Sequence, residues 1–254
     1  MLDARQQELA TLLQTAQATQ WAYSSINDYW ETLANPVQYG MSMAKWIPDY
    51  EYAHKLLLDT LGLYLPPAGN VLDLGAGSGR IAKMVLTRFP DCHVTLADAS
   101  ANMLNATAQT LADFPGRYAT ALGDFLHDGL SFPDESFDCI VSVFAICHGR
   151  GIEQTARLYA NLHRWLKPGG CFVCYDHVRG ATDHFTLLNV AGWQDFMMQF
   201  QSKEQAQAGI LSTYQEDEPL SLHQHFTLLT EAGFQGADVL YKRDILAIYA
   251  GVKA

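Results

Sequence analysis

The sequence predicts a doubly wound α/β fold, with a mostly parallel sheet of about seven strands, an antiparallel hairpin at the C-terminal end and a helical lid ahead of the sheet. Three observations carry this. From residue 69 onward, short apolar runs alternate with amphipathic segments, and parallel strands need such crossovers. A glycine-rich turn, GAGSG at 75–79, follows the first apolar run. The last two runs, ADVLYK and ILAIYAGV, are separated only by Arg243 and Asp244, which suggests an antiparallel hairpin at the sheet edge.

The elements follow in order. Leu9, Leu12, Leu13 and Ala16 fall at helical spacing within residues 3–22, and further helix is expected through the aromatic-rich stretch from Trp21 to Tyr52, interrupted at Pro36 and Pro48. Residues 1–48 are thus expected to form a helical lid or dimerisation segment. Asp49 is placed to cap a helix with Tyr50, Ala53, Leu57 and Leu61 on one side, which should end near PPAGN at 66–70. Residues 49–254 form the expected main domain. Its strands are VLDL, HVTLAD, RYATALG, FDCIVSVF and CFVCYDHV, with helices ending at Phe89, starting at Ser100 and spanning Ile152 to Leu166. LKPGG at 166–170 reads as a helix stop and turn. Residues 180–220 leave the alternation and are expected to form a helical substrate cap, with Trp193, Phe196, Met197, Met198 and Phe200 giving apolar surface. A helix at 221–232 precedes the hairpin.

Composition narrows the partners. The 254 residues carry 27 acidic and 16 basic side chains, a formal charge of −11 that opposes binding to nucleic acid or anionic lipid and favours a small-molecule substrate. No uncharged apolar run reaches about 18 residues and no secretory signal pattern opens the chain, so a cytoplasmic protein is expected. Exposed apolar helices make a homodimer a candidate assembly. The five cysteines read as reduced core thiols, and Cys171 and Cys174, three apart on a strand, point to opposite faces. His223 and His225 diverge on a helix, so no metal is expected.

The glycine turn restricts the ligand further. In a dinucleotide fingerprint the third glycine would occupy position 80, where this chain has Arg80; the glycine stands at 79 instead. Asp73, a carboxylate just before the turn, suits a ligand bearing an ammonium and a sulfonium better than a pyrophosphate. Asp98 ends the second strand, where a carboxylate can accept both ribose hydroxyls. In GDFLH, Asp124 can accept from an adenine amino group and Phe125 adds a flat apolar surface. These residues together describe an adenosine without phosphates and with positive charge.

With DLGAGSG, LADAS, GDF, FDCIVSVFAICH and LKPGG in order and spacing, roughly residues 49–178 resemble the class I S-adenosylmethionine-dependent methyltransferases. The resemblance implies a Rossmann-like sheet and S-adenosyl-L-methionine as cofactor. It implies that Gly75, Ala76, Gly77 and Gly79 let the methionine part lie against backbone, that Asp73 orients its amino group, that Asp98 holds the ribose, and that Asp124 and Phe125 frame the adenine. Ala99, Met103, Gly123 and Phe144 complete the expected cofactor contacts.

Methyl transfer is an in-line displacement that needs a positioned nucleophile and exclusion of water, and a base only if the acceptor must lose a proton. His148, after the fourth strand, is the first candidate base, against the alternative that it caps a helix or packs beneath the ligand. His177 is the second, with neighbouring Asp176 placed to hold its tautomer. Tyr23, Tyr29, Trp30, Tyr39, Trp46 and Tyr50 precede the sheet and, with the segment from Trp193 to Phe200, suggest an apolar pocket. A small aromatic or amphipathic acceptor, methylated on oxygen or nitrogen, fits best.

Other readings compete. The flanks WIPDYEYAHKLL and SLHQHFTLLTEAGF are similar to carboxy-S-adenosylmethionine synthases, enzymes of tRNA uridine modification, in which a tyrosine at the position of Tyr50 reaches the cofactor. Those enzymes have a different glycine turn, and their carboxylate-binding arginine would fall at Leu228. A tRNA-modifying enzyme is disfavoured by charge. A non-catalytic S-adenosylmethionine-binding protein is the reading from outside enzymology.

Overall fold

The computed structural model describes residues 2–19, 29, 31–32, 45–149 and 151–254. Among them, strands β1 (Asn70–Leu74), β2 (His93–Asp98), β3 (Tyr118–Leu122), β4 (Phe137–Val143), β5 (Leu166–His177), β6 (Gln235–Arg243) and β7 (Leu246–Val252) form one sheet in the order β3-β2-β1-β4-β5-β7-β6. β1 to β5 are parallel, and β7 runs antiparallel between β5 and the edge strand β6. The doubly wound sheet and the closing hairpin are those expected from the alternation.

Successive residues of the central strands enter opposite cores, because side chains alternate across a pleated sheet. Val71, Cys139 and Val173 pack with Leu57 and Leu61 of α2 (Tyr50–Tyr64), Val85 of α3 (Arg80–Arg88) and Leu104 of α4 (Ala101–Thr110). Leu72, Ile140 and Phe172 pack with Leu158 and Leu162 of α5 (Ile152–Trp165) and Leu229 of α8 (Leu222–Glu231). All five cysteines are buried and reduced, with Cys171 and Cys174 in different cores. His223 and His225 also diverge: His225 is buried against the Tyr159 hydroxyl at 2.6 Å, while His223 is exposed.

At the N-terminus, α1 (Ala4–Ala18) is closed by an Asp3–Gln6 capping box. It packs on α6 (Asp183–Met197) and α7 (Lys203–Glu216), with Arg5 bound to Asp195 at 2.6 Å and Lys203 to Glu8 at 2.8 Å. Trp193 of α6 is buried and donates its indole N–H to the Trp46 carbonyl at 2.7 Å. The predictions at Trp21, Tyr23, Trp30, Pro36 and Tyr39 lie outside the described residues.

Two local expectations are corrected. Asp49 precedes α2 but makes no side-chain cap; its φ of 50° turns the carboxylate away to Arg243 at 2.7 Å and the Tyr241 hydroxyl at 3.1 Å, both on β6. LKPGG is not a free turn. α5 ends at Trp165, and residues 166–170 open β5, held by Lys253, whose N–H donates to Gly170 O and whose carbonyl accepts from Gly169. Lys253, just past the final strand, supplies backbone partners that no local propensity announces.

Candidate active site

β1 and β4 are neighbours whose crossovers run in opposite directions, which opens a crevice at their carboxyl ends. A cavity of about 520 Å³ fills it, within the range of small-molecule sites. Its wall begins at the glycine turn. Gly75, with φ of 72°, approaches Ala145 so closely that a Cβ would lie 2.2 Å from the alanine Cβ. Gly77, with φ of 53°, faces open space, where a Cβ would meet only the Met103 sulfur at 3.9 Å.

The amides of Gly75, Ala76, Gly77 and Gly79 are spent within the protein rather than aimed at a ligand, contrary to the general expectation for such loops. Gly75 and Ala76 N–H both donate to Ala97 O, at 2.8 and 3.1 Å, and Gly79 N–H donates to Ala76 O at 3.0 Å. Gly77 N–H donates to Asp98 Oδ2 at 2.8 Å, while Asp98 Oδ1 accepts from Ser100 at 2.9 Å. A phosphate cradle needs unspent amides. With four of its five amides so engaged, this turn suits a ligand without phosphates. Asp98 still borders the cavity, and a carboxylate has further lone pairs for ribose hydroxyls. Burial raises its pKa against the pull of the Gly77 and Ser100 amides.

Tyr50, Gly75, Ala76, Gly77, Asp98 and Ala99 line the cavity as expected, and so do Met103, Asp124, Phe125, Phe144, His148 and His177. Three predicted contacts stand behind the wall instead. Asp73 is 1% exposed and accepts the Ala82 N–H at 3.0 Å, tying α3 to β1; burial pushes its pKa up to about 7. Gly79 is the left-handed residue before α3, where a Cβ would press on Leu96 at 3.1 Å. Gly123 leaves no room for a Cβ because the Gly129 carbonyl would lie 2.3 Å away. These three shape the site from behind. Asp124, expected to face an adenine, also orders its own turn by accepting Leu126 N–H at 2.9 Å and pairing with His127 Nδ1 at 2.8 Å.

The far wall brings the two candidate bases together. His148 ends a 3₁₀ turn after β4 (Ile146–His148) and His177 ends β5. The residue that joins them is Asp217, just past α7: its Oδ2 lies 2.5 Å from His177 Nδ1 and its Oδ1 2.7 Å from His148 Nδ1. Asp176, expected to hold the His177 ring, instead accepts the backbone N–H groups of Cys147 at 2.9 Å and His177 at 2.8 Å. Burial disfavours the charged form of both rings, but the Asp217 carboxylate outweighs it and both pKa values are raised. Reciprocally, burial works against the Asp217 anion, yet the two imidazoles hold its pKa well below the usual range.

Cys147, His177 and Asp217 bring a thiol, an imidazole and a carboxylate within 4.8 Å of one another. A zinc ion between a nitrogen and an oxygen, each about 2.1 Å from the metal, would hold those two atoms about 3.4 Å apart. His177 Nδ1 hydrogen-bonds Asp217 at 2.5 Å and His148 Nδ1 makes an ion-pair contact with it at 2.7 Å, both shorter than that spacing.

Arg80, noted in the sequence only as a glycine replacement, lines the cavity with its guanidinium 4.5 Å over the Tyr50 ring. Ser212, Thr213 and Glu216 of α7 also border it. Sequence reasoning missed these and Asp217, since only tertiary packing carries α7 to the sheet edge. Trp46, Trp193, Phe125 and Phe144 give the cavity its apolar character. Phe144 holds a left-handed φ of 52°, strain that places its ring 5.3 Å from that of His177.

Residues 71–170 match the family model described as a methyltransferase domain. The chain is 34% identical over 123 residues to the sterol 24-C-methyltransferase of Neurospora crassa, a match spanning 48% of this chain and 30% of that protein. It is 32% identical over 111 residues to the ubiquinone/menaquinone biosynthesis C-methyltransferase of Desulfotalea psychrophila, spanning 44% of this chain and 42% of that one. The matches thus span less than half the length of these curated relatives. In three dimensions, human N-acetylserotonin methyltransferase, solved in complex with SAM, superposes with a TM-score of 0.64 at 17% identity, covering 98% of this chain and 66% of the other.

Proposed function

We propose that the protein, whose residues 71–170 match a methyltransferase domain, is a class I S-adenosylmethionine-dependent methyltransferase that transfers a methyl group from S-adenosyl-L-methionine to a small acceptor enclosed beneath α6 and α7. The observation that carries the reading is the continuity of one cavity from the glycine turn to the histidine wall.

The residues present fit the cofactor. Asp98 would take the ribose, Phe125 and Asp124 the adenine, and the open face of Gly77 the methionine chain. When bound, the cofactor supplies an electrophilic methyl on a sulfonium. The chain itself orients the acceptor between Phe144 and the aromatic rings of Trp46 and Trp193, and excludes water. The acceptor is a small aromatic or amphipathic molecule. Oxygen and nitrogen are the atoms favoured by the sequence reading, and carbon joins them because the two curated relatives are C-methyltransferases by name.

Carboxy-S-adenosylmethionine synthesis gains no support, since Leu228 is buried in the core packed around α5 and α8 and is absent from the cavity wall. No described helix is long and apolar enough to cross a membrane. Exposed Phe185, Leu188 and Phe200 are consistent with self-association, which light scattering would measure.

The test is calorimetric titration with S-adenosylmethionine and S-adenosylhomocysteine, followed by incubation of methyl-labelled cofactor with an acceptor panel. Binding of both, with label transferred to a small acceptor, is expected. Absence of binding to either would overturn the proposal, and binding without transfer across the panel would favour a sensor.

A further inference from the structure

We infer that Asp217 joins His148 and His177 into one proton-accepting unit, and that the acceptor is a weak acid, a phenol or an enolisable carbon acid, which gives up a proton as it is methylated. The inference rests on the methyl-transfer reading and narrows its substrate.

The geometry is specific. One carboxylate has two oxygens, and each meets the Nδ1 of a different ring, at 2.5 and 2.7 Å. His177 ends β5 and His148 ends the 3₁₀ turn that follows the neighbouring β4, whereas the carboxylate arrives from the cap segment. Further contacts fix the arrangement. The Glu218 N–H donates to Cys147 O at 3.0 Å, pinning the end of α7 to the turn that carries His148. Asp176 accepts the backbone N–H groups of both Cys147 and His177, holding the two histidine-bearing segments together from below. The His177 ring is flanked by Phe144 at 5.3 Å and Trp193 at 6.0 Å between centroids.

Asp217 is only 3% exposed, and a carboxylate that far from water persists only when paired. Its pairing commits His177 Nδ1 as donor, which leaves Nε2 as the ring nitrogen available to whatever fills the cavity that His177 lines. This is the orientation a general base requires, with a carboxylate behind the ring to stabilise the imidazolium that forms.

A tertiary amine, a thioether or a carboxylate needs no such device, because none of them carries a proton that must leave. For an acid acceptor X–H the step balances. The X–H electron pair becomes the X–CH₃ bond, the proton goes to His177 Nε2, and the S–CH₃ pair stays on sulfur as the sulfonium becomes a thioether. Asp217 is a positioning residue in this scheme. It stands at the end of α7, so the unit is complete only when that helix is docked.

The charged and titratable groups that face the two rings are Asp176 from β5, Asp217 and Glu216 from the end of α7, Cys147 from the turn after β4, Asp98 from the end of β2, which acts on His148, and each other. The carboxylates outnumber the imidazoles, and both rings titrate upward from their ordinary value despite burial.

The test uses the full chain labelled with ¹⁵N-histidine and titrated from about pH 5 to about pH 9, with signals assigned through His148→Gln and His177→Gln. In the wild-type protein, Nδ1 of both rings is expected to stay protonated while Nε2 titrates, and removal of either ring should shift the midpoint of the other. In Asp217→Asn both midpoints should fall. Independent titration of the two rings, or a protonated Nε2 in the neutral form of His177, would overturn the shared unit, and the wild-type spectra decide this without any variant at 217.

In the activity arm, phenols and β-keto esters are offered with methyl-labelled S-adenosylmethionine. Asp217→Asn is expected to lower kcat by roughly 100-fold or more, leave cofactor affinity within about twofold, and move the rising limb of kcat/KM to lower pH. Label on phenol oxygen or on carbon distinguishes the two acids. Transfer only to tertiary amines or thioethers, or full activity in Asp217→Asn, would overturn the acceptor class. Failure of the wild-type protein to bind cofactor would count against the methyl-transfer reading instead, whatever the histidine spectra show.

Discussion

Gly75 and Gly77 stand two residues apart in one turn, both at positive φ, yet alanine at each should fail in a different way. At Gly75 the substitution adds left-handed strain of roughly 1–2 kcal/mol. It also drives a methyl to 2.2 Å from Ala145 Cβ, far inside a carbon–carbon contact of about 4 Å. Relieving such an overlap in a packed wall costs roughly 1–3 kcal/mol more. The sum, about 2–5 kcal/mol, lowers Tm by roughly 5–20 °C in a chain of this size. At Gly77 the nearest atom would be the Met103 sulfur at 3.9 Å, so only the strain applies, and Tm should fall by roughly 2–8 °C. That added methyl, however, stands on the face proposed to receive the methionine chain. If clearing it costs the bound state about 1–3 kcal/mol, affinity for S-adenosylmethionine drops roughly 5- to 150-fold. Thermal melts by circular dichroism and calorimetric titration measure both quantities. A lower Tm for Gly77→Ala than for Gly75→Ala, or unchanged cofactor affinity in Gly77→Ala, would refute the assignment of one glycine to packing and the other to the ligand face.

Asp98→Asn should weaken S-adenosylmethionine binding roughly 10- to 150-fold, the worth of about 1.5–3 kcal/mol for hydrogen bonds to a charged acceptor. Wild-type affinity in that variant would show that Asp98 serves the turn alone. Asp73 should make stability depend on pH. Burial raises its carboxyl from 3.8 to about 7, so the folded state holds a proton that the unfolded chain releases near pH 4. Its contribution is therefore lost as pH rises between those values, by on the order of 4 kcal/mol. Urea melts of wild type and Asp73→Asn across that window should diverge upward in favour of the variant, and parallel curves would contradict the raised value. All five thiols are buried, and burial pushes Cys147 and Cys174 well above the ordinary thiol range. A thiol reagent at about pH 8 should therefore label none of them quickly before denaturant is added, and one fast-reacting cysteine would show that the crevice opens.

The strands of the sheet were legible because each is a short apolar run bounded by turn residues, and parallel order followed from the helices between them. Cavity-lining residues at the strand ends were legible for the same reason: Asp98 and His177 end β2 and β5, and Phe144 directly follows β4, strands whose direction the alternation fixes. Long-range partners were not. Nothing local links Asp217 to His148 or His177, and Asp176, adjacent in sequence to His177, points to backbone amides because successive strand residues face opposite ways. Asp49 had the right residue type for a cap, but Arg243 and Tyr241 from β6 won its carboxylate. The LKPGG turn signal was overridden in the same manner, by hydrogen bonds from Lys253 at the far end of the chain. Local chemistry placed the elements, and tertiary partners decided what the polar side chains do.

A structure of the protein with S-adenosylhomocysteine tests the central claim most directly. The adenosine is predicted to lie between Asp98 and Phe125, with the amino-acid portion across Gly77 and the sulfur directed toward the wall formed by His148 and His177. A crevice that stays empty at saturating ligand, or one that accepts NADH in its place, would contradict the account.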